Sequence, residues 1–339
     1  MQYSAPLPAS VLRKPSTLSP EARKEIIQLS KADPKGFLKQ VAWSWLLIIA
    51  SISAAVYFDN APVSLLTILI IAGRQNTFGL LMHEQTHYLG LKSRWGDLVA
   101  DLLVCYPLLF LSVKSYARVH LTHHTRFFTE GDPDLFLKSG EDWCFPMKAS
   151  RLAWLLFRDT LGLSLIGTML GFNQKTGTLN IKRLGPDHAW LKWVYFAVWA
   201  VVFTWTNSWN IFLLYWLLPL CTILQGFVRL GAICEHVYIL DAPLQTSTAV
   251  IIPAWWENLI FPSLNFFYHI YHHYFPGVPF ARLPQVHALF VKEGLVEEKH
   301  VFKSIFSYLR FLVSMPSLQT QALDPAKLLS TETKCQVPN

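Results

Sequence analysis

The sequence predicts an all-α integral membrane protein with four transmembrane helices in two hairpins, further helices in the membrane interface, and a cytosolic histidine-rich cap. Composition is the first reason: the 339 residues are 52% hydrophobic and only 15% charged, whereas soluble domains average about 25% charged residues. The second reason is the pairing of long apolar segments. The third is that histidine motifs follow directly after those segments.

The first predicted hairpin consists of the apolar segments 41–57 and 63–82, separated by a Phe-Asp-Asn-Ala-Pro break. Each segment is close to the ~20 residues that one bilayer crossing requires. The break contains no Lys or Arg and the outer ends are basic, so the positive-inside rule places both ends in the cytosol. Arg74 and Gln75 predict that one side of the second helix faces protein.

The second predicted hairpin pairs segments 190–205 and 211–234, and its connection also lacks Lys and Arg. Aromatic residues lie at both ends of these segments, as they do at membrane interfaces. Four crossings return the chain to its starting side, so we expect a multi-pass protein with both termini in the cytosol.

Two further apolar stretches are expected not to cross. A full crossing by residues 98–113 would separate neighbouring histidine motifs by the ~30 Å of the hydrocarbon core, so this stretch is predicted to re-enter or to lie in the interface. Residues 152–170 contain Arg158 and Asp159, which favours an interfacial helix.

The chain is predicted to have three parts. Residues 1–40 form a cytosolic N-terminal segment, with an amphipathic helix over 20–40 that starts at a Ser19 cap followed by Pro20. Residues 41–314 form the membrane domain, and the polar tail 315–339 is expected to be disordered.

Three histidine motifs and one isolated histidine are the candidate functional residues. Positions i, i+3 and i+4 of a helix share one face, so each motif directs two or three imidazoles the same way. The isolated histidine follows Glu235 at the predicted end of the last span. The predicted metal ligands are His83, His87, His120, His123, His124, His236, His269, His272 and His273.

These nitrogen donors suit zinc, copper, iron and nickel. Nine ligands exceed the four that a tetrahedral zinc ion takes, and they predict two octahedral ions that share a site and keep open positions. The residue types alone leave iron, manganese and zinc open. Polar neighbours that orient the imidazoles are predicted among Glu84, Asp97, Asp132, Asp134, Glu235 and Asn265.

Other site classes fit less well. The five cysteines form no CxxC pair, which argues against a disulfide framework and a thiolate zinc site. No basic run alternates with aromatics, so nucleic-acid binding is not expected. Residues 83–87 match the H-E-x-x-H protease motif, but the other histidine motifs and the membrane segments argue against a protease. The isolated His188, His287 and His300 are expected to be ordinary packing or surface residues.

The order HxxxH, HxxHH, then HxxHH followed by FPGVPFARLP resembles the membrane fatty acid desaturase family, as does Glu-Gly-Asp-Pro-Asp at 130–134. The resemblance covers roughly residues 40–290. It implies four transmembrane helices, a cytosolic di-iron centre with all nine histidines as iron ligands, and an acyl chain in a narrow tunnel. Three departures weaken any transfer of substrate: the short spacing in the first motif, Tyr271 where many members carry Glu or Gln, and Asn265 four residues before His269 instead of directly beside the motif.

The resemblance implies an O2-dependent oxidoreductase that introduces a C=C bond into an acyl chain carried by a lipid, CoA or acyl carrier protein. A lipid or carotenoid hydroxylase or ketolase is the alternative, because both reactions share the first hydrogen abstraction. A metal transporter or sensor is a more distant alternative. The ligands of a transporter are expected near the bilayer midplane, whereas these histidines follow the apolar segments. The sequence has no segment resembling a haem domain and no iron–sulfur spacing, so an external carrier of ferredoxin or cytochrome b5 type is expected on the basic cytosolic face.

Overall fold

The computed structural model describes residues 7, 15–109, 111–165, 178–186 and 188–315. Nearly all of its regular structure is helical, as predicted, and the exception is a short parallel pair of strands, β1 (Val250–Ile251) and β2 (Val301–Phe302). Except for residue 315, the predicted disordered tail lies outside the described residues. In chain order the α-helices are α1 (Pro20–Leu29), α2 (Pro34–Phe58), α3 (Ala61–Thr86), α4 (Gly96–Ala100), α5 (Val113–Thr125), α6 (Pro133–Leu137), α7 (Ala149–Thr160), α8 (Leu191–Trp205), α9 (Trp209–Phe212), α10 (Leu218–Cys221), α11 (Ile223–Glu235), α12 (Leu244–Ser247), α13 (Trp255–Ile260), α14 (His269–Tyr274), α15 (Leu283–Lys292) and α16 (Ile305–Ser314).

The predicted helix over 20–40 is two helices in the structure. The Ser19 side chain caps α1, as expected, by accepting a hydrogen bond from the backbone N–H of Ala22. A new helix begins at Pro34 because proline disfavours a helical conformation in the residue before it, and Asp33 caps that helix. The first predicted span is therefore the later part of α2.

Helices α2 and α3 form the first hairpin, with 25 and 26 residues. Both are long and apolar enough to cross a membrane. Asn60 caps α3 by accepting from the N–H of Val63, and Thr67 Oγ1 donates to the carbonyl of Ser51 across the hairpin at 3.0 Å. The helix α3 continues past its apolar part and ends with the first histidine motif.

The stretch after the first hairpin is broken and bent, as expected for a segment that does not cross in one piece. Helix α4 is followed by a π-helical turn (Asp101–Cys105) and a 3-10 turn (Tyr106–Leu108). The chain then bends by 90° into α5. The indole N–H groups of Trp45 and Trp216 donate to the carbonyls of Leu103 and Pro107, which satisfies backbone groups at the break.

The second hairpin is less regular than the first. Residues Trp209–Glu235 are long and apolar enough for a span, although a π turn at Leu213–Leu217 and a break at Thr222 interrupt them. Its partner α8 has 15 residues, about 22 Å at 1.5 Å per residue, which is less than the hydrocarbon core. Three described helices thus meet the length of a span, and the bent pair around α4 and α5 makes a fourth only if it counts as one.

Helices α7 and α13 present apolar side chains outward. Trp154 and Phe157 on α7, and Trp255 and Leu259 on α13, are at least half exposed. The opposite side of α7 buries Asp159, which pairs with Arg229 of α11. An apolar outer face and an anchored polar inner face are typical of helices that lie in the membrane interface.

Candidate metal centre

The nine predicted histidines come from the ends of four helices. His83 and His87 stand in and just after the last turn of α3, and the three histidines of the second motif occupy the end of α5. His236 follows α11, and α14 begins at His269. The structure therefore carries each candidate ligand at a helix end, away from the middle of the long apolar segments.

Five of these imidazoles form a first group, whose potential ligand nitrogens all lie within 4.8 Å of one another. The Nε2 atoms of His120 and His87 are 2.9 Å apart, and His124 Nε2 is 3.0 Å from both His120 Nε2 and His272 Nε2. The group consists of His83, His87, His120, His124 and His272. The contact of His87 with His120 shows that residues 98–113 do not separate the first two motifs.

The remaining four imidazoles form a second group. Three of them, His123, His236 and His273, have ligand nitrogens within 4.8 Å of one another. His269 joins them, because its Nε2 lies 3.1 Å from that of His236 and 3.2 Å from that of His273. The ring of His124 stacks on that of His273, with centroids 4.3 Å apart, so the two groups are adjacent.

The nitrogen atoms fit metal ions better than they fit hydrogen bonds with one another. His236, His269 and His273 form a triangle of Nε2 atoms with sides of 3.0 to 3.2 Å. Three neutral Nε2 atoms cannot form hydrogen bonds along all three sides of such a triangle, since each nitrogen either donates or accepts and two of the three must be alike. Neighbouring nitrogens on an octahedral ion at about 2.1 Å lie roughly 3 Å apart.

Buried nitrogens without a partner support the same conclusion. Both ring nitrogens of His83, and Nδ1 of His269 and of His272, are buried without a hydrogen bond among the described residues. A buried polar atom left unpaired is costly. A bound ion would give one ring nitrogen of His83 the partner that it lacks.

Electrostatics keeps most of these imidazoles neutral, which is the form that binds a metal. Burial, then the charge of Arg183, lowers the pKa of His87 to about 3. Burial and neighbouring imidazoles hold the pKa far below its usual range for a further set: His120, His124, His236, His269, His272 and His273.

The comparison with known families agrees with this geometry. The family model for fatty acid desaturases matches residues 60–306, which is more than half of the chain. This chain belongs to the fatty acid desaturase family. No curated protein matches it. As a member of this family it is an oxidoreductase associated with membranes, and its histidine cluster is able to bind metal.

Two imidazoles of the second group are fixed by direct side-chain hydrogen bonds. His123 Nδ1 lies 3.0 and 2.9 Å from the two oxygens of Asp132. Burial alone lowers the pKa of His123, but the bond with Asp132 and the nearby carboxylates raise it above its usual value. His236 Nδ1 lies 2.7 Å from Thr248 Oγ1. Both bonds leave Nε2 directed at the centre of the group.

Glu84 and Asp97 connect parts of the chain around the imidazoles. Glu84 Oε1 accepts a hydrogen bond from the N–H of Phe280, so it joins the first motif to the loop after the third. Asp97 accepts from Arg183 Nε at 2.7 Å and from the amide of Gln85 at 2.9 Å. Arg183 also donates to the carbonyls of Gln85 and Thr86 at the end of α3.

The other three predicted polar neighbours are placed differently. Lys138 Nζ lies 2.8 Å from Asp134 and 3.9 Å from Glu235, so these two carboxylates pair with a lysine. Asn265 lies in a turn with positive φ at Leu264 and Asn265. Its carbonyl accepts from the N–H of Tyr268.

The isolated histidines lie outside both groups. His188 Nε2 is 2.9 Å from Asp101, and His287 Nδ1 is 2.8 Å from the hydroxyl of Tyr271. His300 Nδ1 lies 3.6 Å from Glu297. The structure adds two residues that the sequence did not single out, Thr248 and Arg183. No sequence pattern marks either one: Arg183 lies nearly a hundred residues from the end of α3, and Thr248 belongs to no motif with His236.

Proposed function

We propose that this protein is an O2-dependent membrane desaturase that introduces a C=C bond into the acyl chain of a glycerolipid, CoA or acyl-carrier-protein ester. Two iron ions and an external electron donor are part of the proposal. The observation that carries it is the arrangement of nine buried or half-buried imidazoles in two adjacent groups, with nitrogens about 3 Å apart.

Each group would hold one ion. His83, His87, His120, His124 and His272 are the proposed ligands of the first, and His123, His236, His269 and His273 those of the second. When bound, iron supplies the power to activate O2 for attack on an unactivated C–H bond. Ligand sets of five and four leave positions open on octahedral ions.

In this reaction the residues of the chain position the imidazole ligands and exclude water from the site. Burial holds most of the imidazoles in their neutral form, and Asp132 and Thr248 orient two of the nine. The rings of Phe266 and Phe280 each lie 5.0 Å from that of His83. These apolar neighbours exclude water from one side of the first group, which favours an alkyl chain over a polar substrate.

Electrons have to come from another protein. We propose a ferredoxin or a cytochrome b5 as the carrier, because either is acidic and the chain carries a net charge of +7. Purified protein would be assayed with each carrier and with a direct chemical reductant. Turnover with the chemical reductant alone would refute this part of the proposal.

The proposed topology places both termini in the cytosol. The segment 1–40 and the tail 315–339 would then flank a membrane domain of residues 41–314. Reporter domains fused to either end should be accessible from the cytosolic side in intact cells. Accessibility of the two reporters on opposite sides would contradict an even number of crossings.

The reaction itself is tested by product mass. The chain would be expressed in a host whose lipids are saturated, and the extracted lipids analysed by mass spectrometry. Desaturation removes two hydrogens, whereas the alternative hydroxylase or ketolase reaction adds oxygen. Lipids that remain unchanged while the purified protein retains two irons would refute an acyl substrate.

A further inference from the structure

Among the described residues, two tyrosines have rings in contact with the imidazole groups. The ring of Tyr116 stacks on that of His120, with centroids 5.5 Å apart, and lies 6.2 Å from the ring of His83. The ring of Tyr238 lies 6.0 Å from that of His236 in the second group. Each group of candidate ligands therefore has one tyrosine beside it.

Trp143 extends the contacts of Tyr238 toward the surface. The two rings are 5.9 Å apart at an interplanar angle of 78°, whereas Tyr116 has no ring contact with a tryptophan in the described part of the chain. Tyr238 is buried, and Trp143 is half-buried, so part of it is accessible to water. The rings of His236, Tyr238 and Trp143 form a continuous aromatic path from the second group to the surface.

The cations beside this aromatic path are neutralised by carboxylates. A cation over an aromatic ring is attracted to it and makes the ring harder to oxidise. Lys138 Nζ lies 5.1 Å from the centre of the Tyr238 ring, but Asp134 binds that nitrogen at 2.8 Å. Arg229 lies 4.3 Å from the centre of the indole ring at the end of the path, and Asp159 pairs with it. The two ion pairs reduce the charge that either ring experiences.

We propose that the aromatic path of Tyr238 and Trp143 is a redox site, which carries electrons to the second imidazole group when an oxidising equivalent made from O2 finds no substrate. Tyrosine and tryptophan are the aromatic side chains that give up an electron most readily. The path would thereby spare the buried imidazoles from oxidation. This inference rests on the iron centre of the proposed function, but it does not depend on an acyl substrate.

The electrons come from the indole of Trp143. Two oxidising equivalents at the metal site withdraw two electrons from that ring, one after the other, through the ring of Tyr238. A water molecule adds its oxygen to the oxidised indole, and one proton from the ring and one from that water pass to solvent. If hydrogen peroxide is the oxidant, two electrons and two protons convert it to two molecules of water. The oxygen gained by Trp143 therefore comes from water, whereas direct attack by peroxide would add an oxygen of the peroxide.

The test uses this difference in the source of oxygen. Iron-loaded protein would be treated with hydrogen peroxide, without substrate or O2, in water labelled with heavy oxygen. Peptide mass spectrometry then locates each added oxygen. We expect labelled oxygen on Trp143, and no more on Trp95 or Trp154 than in metal-free protein. Those two indoles are more exposed than Trp143, and neither contacts a tyrosine ring among the described residues.

Two variants interrupt the aromatic path at different points. Tyr238→Phe keeps an aromatic ring but removes the readily oxidised phenol, so labelled oxygen on Trp143 should fall to the level of the metal-free protein. Trp143→Phe removes the electron source, so we expect oxidation products on Tyr238 and His236 and a faster loss of iron during peroxide treatment. Trp154→Phe is the matched control and should behave as the wild type does.

Three results would overturn the inference. Unlabelled oxygen on Trp143, or equal oxidation of all three indoles, would show direct attack from solvent. Labelled oxygen that persists on Trp143 in iron-loaded Tyr238→Phe would show that electrons do not pass through the phenol. A Trp143→Phe variant that keeps its iron and its histidines as long as the wild type would show that the path protects nothing. These results leave the proposed desaturase standing, whereas a wild-type protein that binds no iron would refute that function and the path together.

Discussion

The two imidazole groups are built in different ways. In the second group, Asp132 and Thr248 hold His123 and His236 by direct hydrogen bonds to Nδ1, and only Nδ1 of His269 is buried without a partner among the described residues. In the first group, both ring nitrogens of His83 and Nδ1 of His272 lack such a partner among the described residues. The support there reaches the backbone instead, because Arg183 binds the last carbonyls of α3.

This difference suggests two ways to build a pre-organised metal site. Side-chain hydrogen bonds fix the orientation of individual rings and also raise their basicity. Helix ends fix the backbone positions from which the imidazoles extend, and packing against aromatic side chains fixes the orientation of the rings. The first group should therefore respond most to changes of the ligands themselves, and the second group also to changes of the partners behind them.

The largest effect is expected from removing one ligand of each group. His272→Ala and His273→Ala should each reduce activity by more than about 100-fold, since changing even an outer-shell partner costs 10–100-fold. Each should also lose about half of the bound iron, measured by metal analysis of purified protein. His188→Ala, outside both groups, is the control and should keep its iron. Loss of both ions from either variant would show that the groups do not bind independently.

Acidification should affect His123 in the direction opposite to the imidazoles with a lowered pKa in the metal-free protein. The lowered pKa of the imidazoles at His87, His120, His124 and His272 means that the unfolded chain binds protons that the folded chain does not. Their contribution to stability is present above the ordinary pKa of about 6.5 and is lost as pH falls below it. For His87 this loss continues to about pH 3.

His123 acts in the opposite sense. Its pKa is raised, so its contribution is complete below about pH 6.5 and is lost as pH rises through the folded value. Thermal unfolding of chelator-treated protein between about pH 5 and 8 should show falling stability toward acid, because the lowered imidazoles outnumber it. In Asp132→Asn, which weakens the partner of His123, this decline should be steeper. A stability that rises toward acid would contradict these directions.

The next largest effect on iron binding is expected from removing the carboxylate of Asp132, which forms a hydrogen bond with His123 in the second group. Asp132→Ala should weaken iron binding about 10–100-fold, and Asp132→Asn should be intermediate because the amide keeps one acceptor oxygen. Asp134→Ala is the matched control, since that carboxylate pairs with Lys138. Competition with a chelator would measure the affinity. Equal losses in the Asp132 and Asp134 variants would show that the contact with His123 is not what matters.

The spacing of the three histidine motifs, with the position of His236 at a predicted helix end, was enough to select all nine residues that the structure brings together, but not to sort them into two groups. His123 and His124 are adjacent in sequence yet lie in different groups, because successive residues on α5 point about 100° apart and the neighbours on each side come from other helices. His272 and His273 divide in the same way. Their role as ligands stays a prediction.

The apolar segments predicted where the long helices lie, but the bounds of the helices differ from the bounds of those segments. Asp33 and Pro34 start α2 earlier than its apolar part, and α8 is shorter than a bilayer crossing. Among the predicted polar neighbours, Asp132 contacts a histidine, whereas Asp134 and Glu235 face Lys138. Arg183 and Thr248 could not be found from the sequence, because tertiary folding alone brings them to the site.

The smallest effect on iron binding is expected from removing the hydroxyl group that forms a hydrogen bond with His236. Thr248→Val keeps the shape of the side chain and removes the atom 2.7 Å from His236 Nδ1. A net hydrogen bond contributes about 1 kcal/mol, so iron affinity should fall less than about tenfold, and less than in Asp132→Ala because a charged partner orients a ring more strongly than a neutral one. Thr246→Val is the control, since that hydroxyl donates to the Pro243 carbonyl in its own turn. If Thr248→Val weakened iron binding as much as Asp132→Ala, ring orientation would outweigh charge in building the second group.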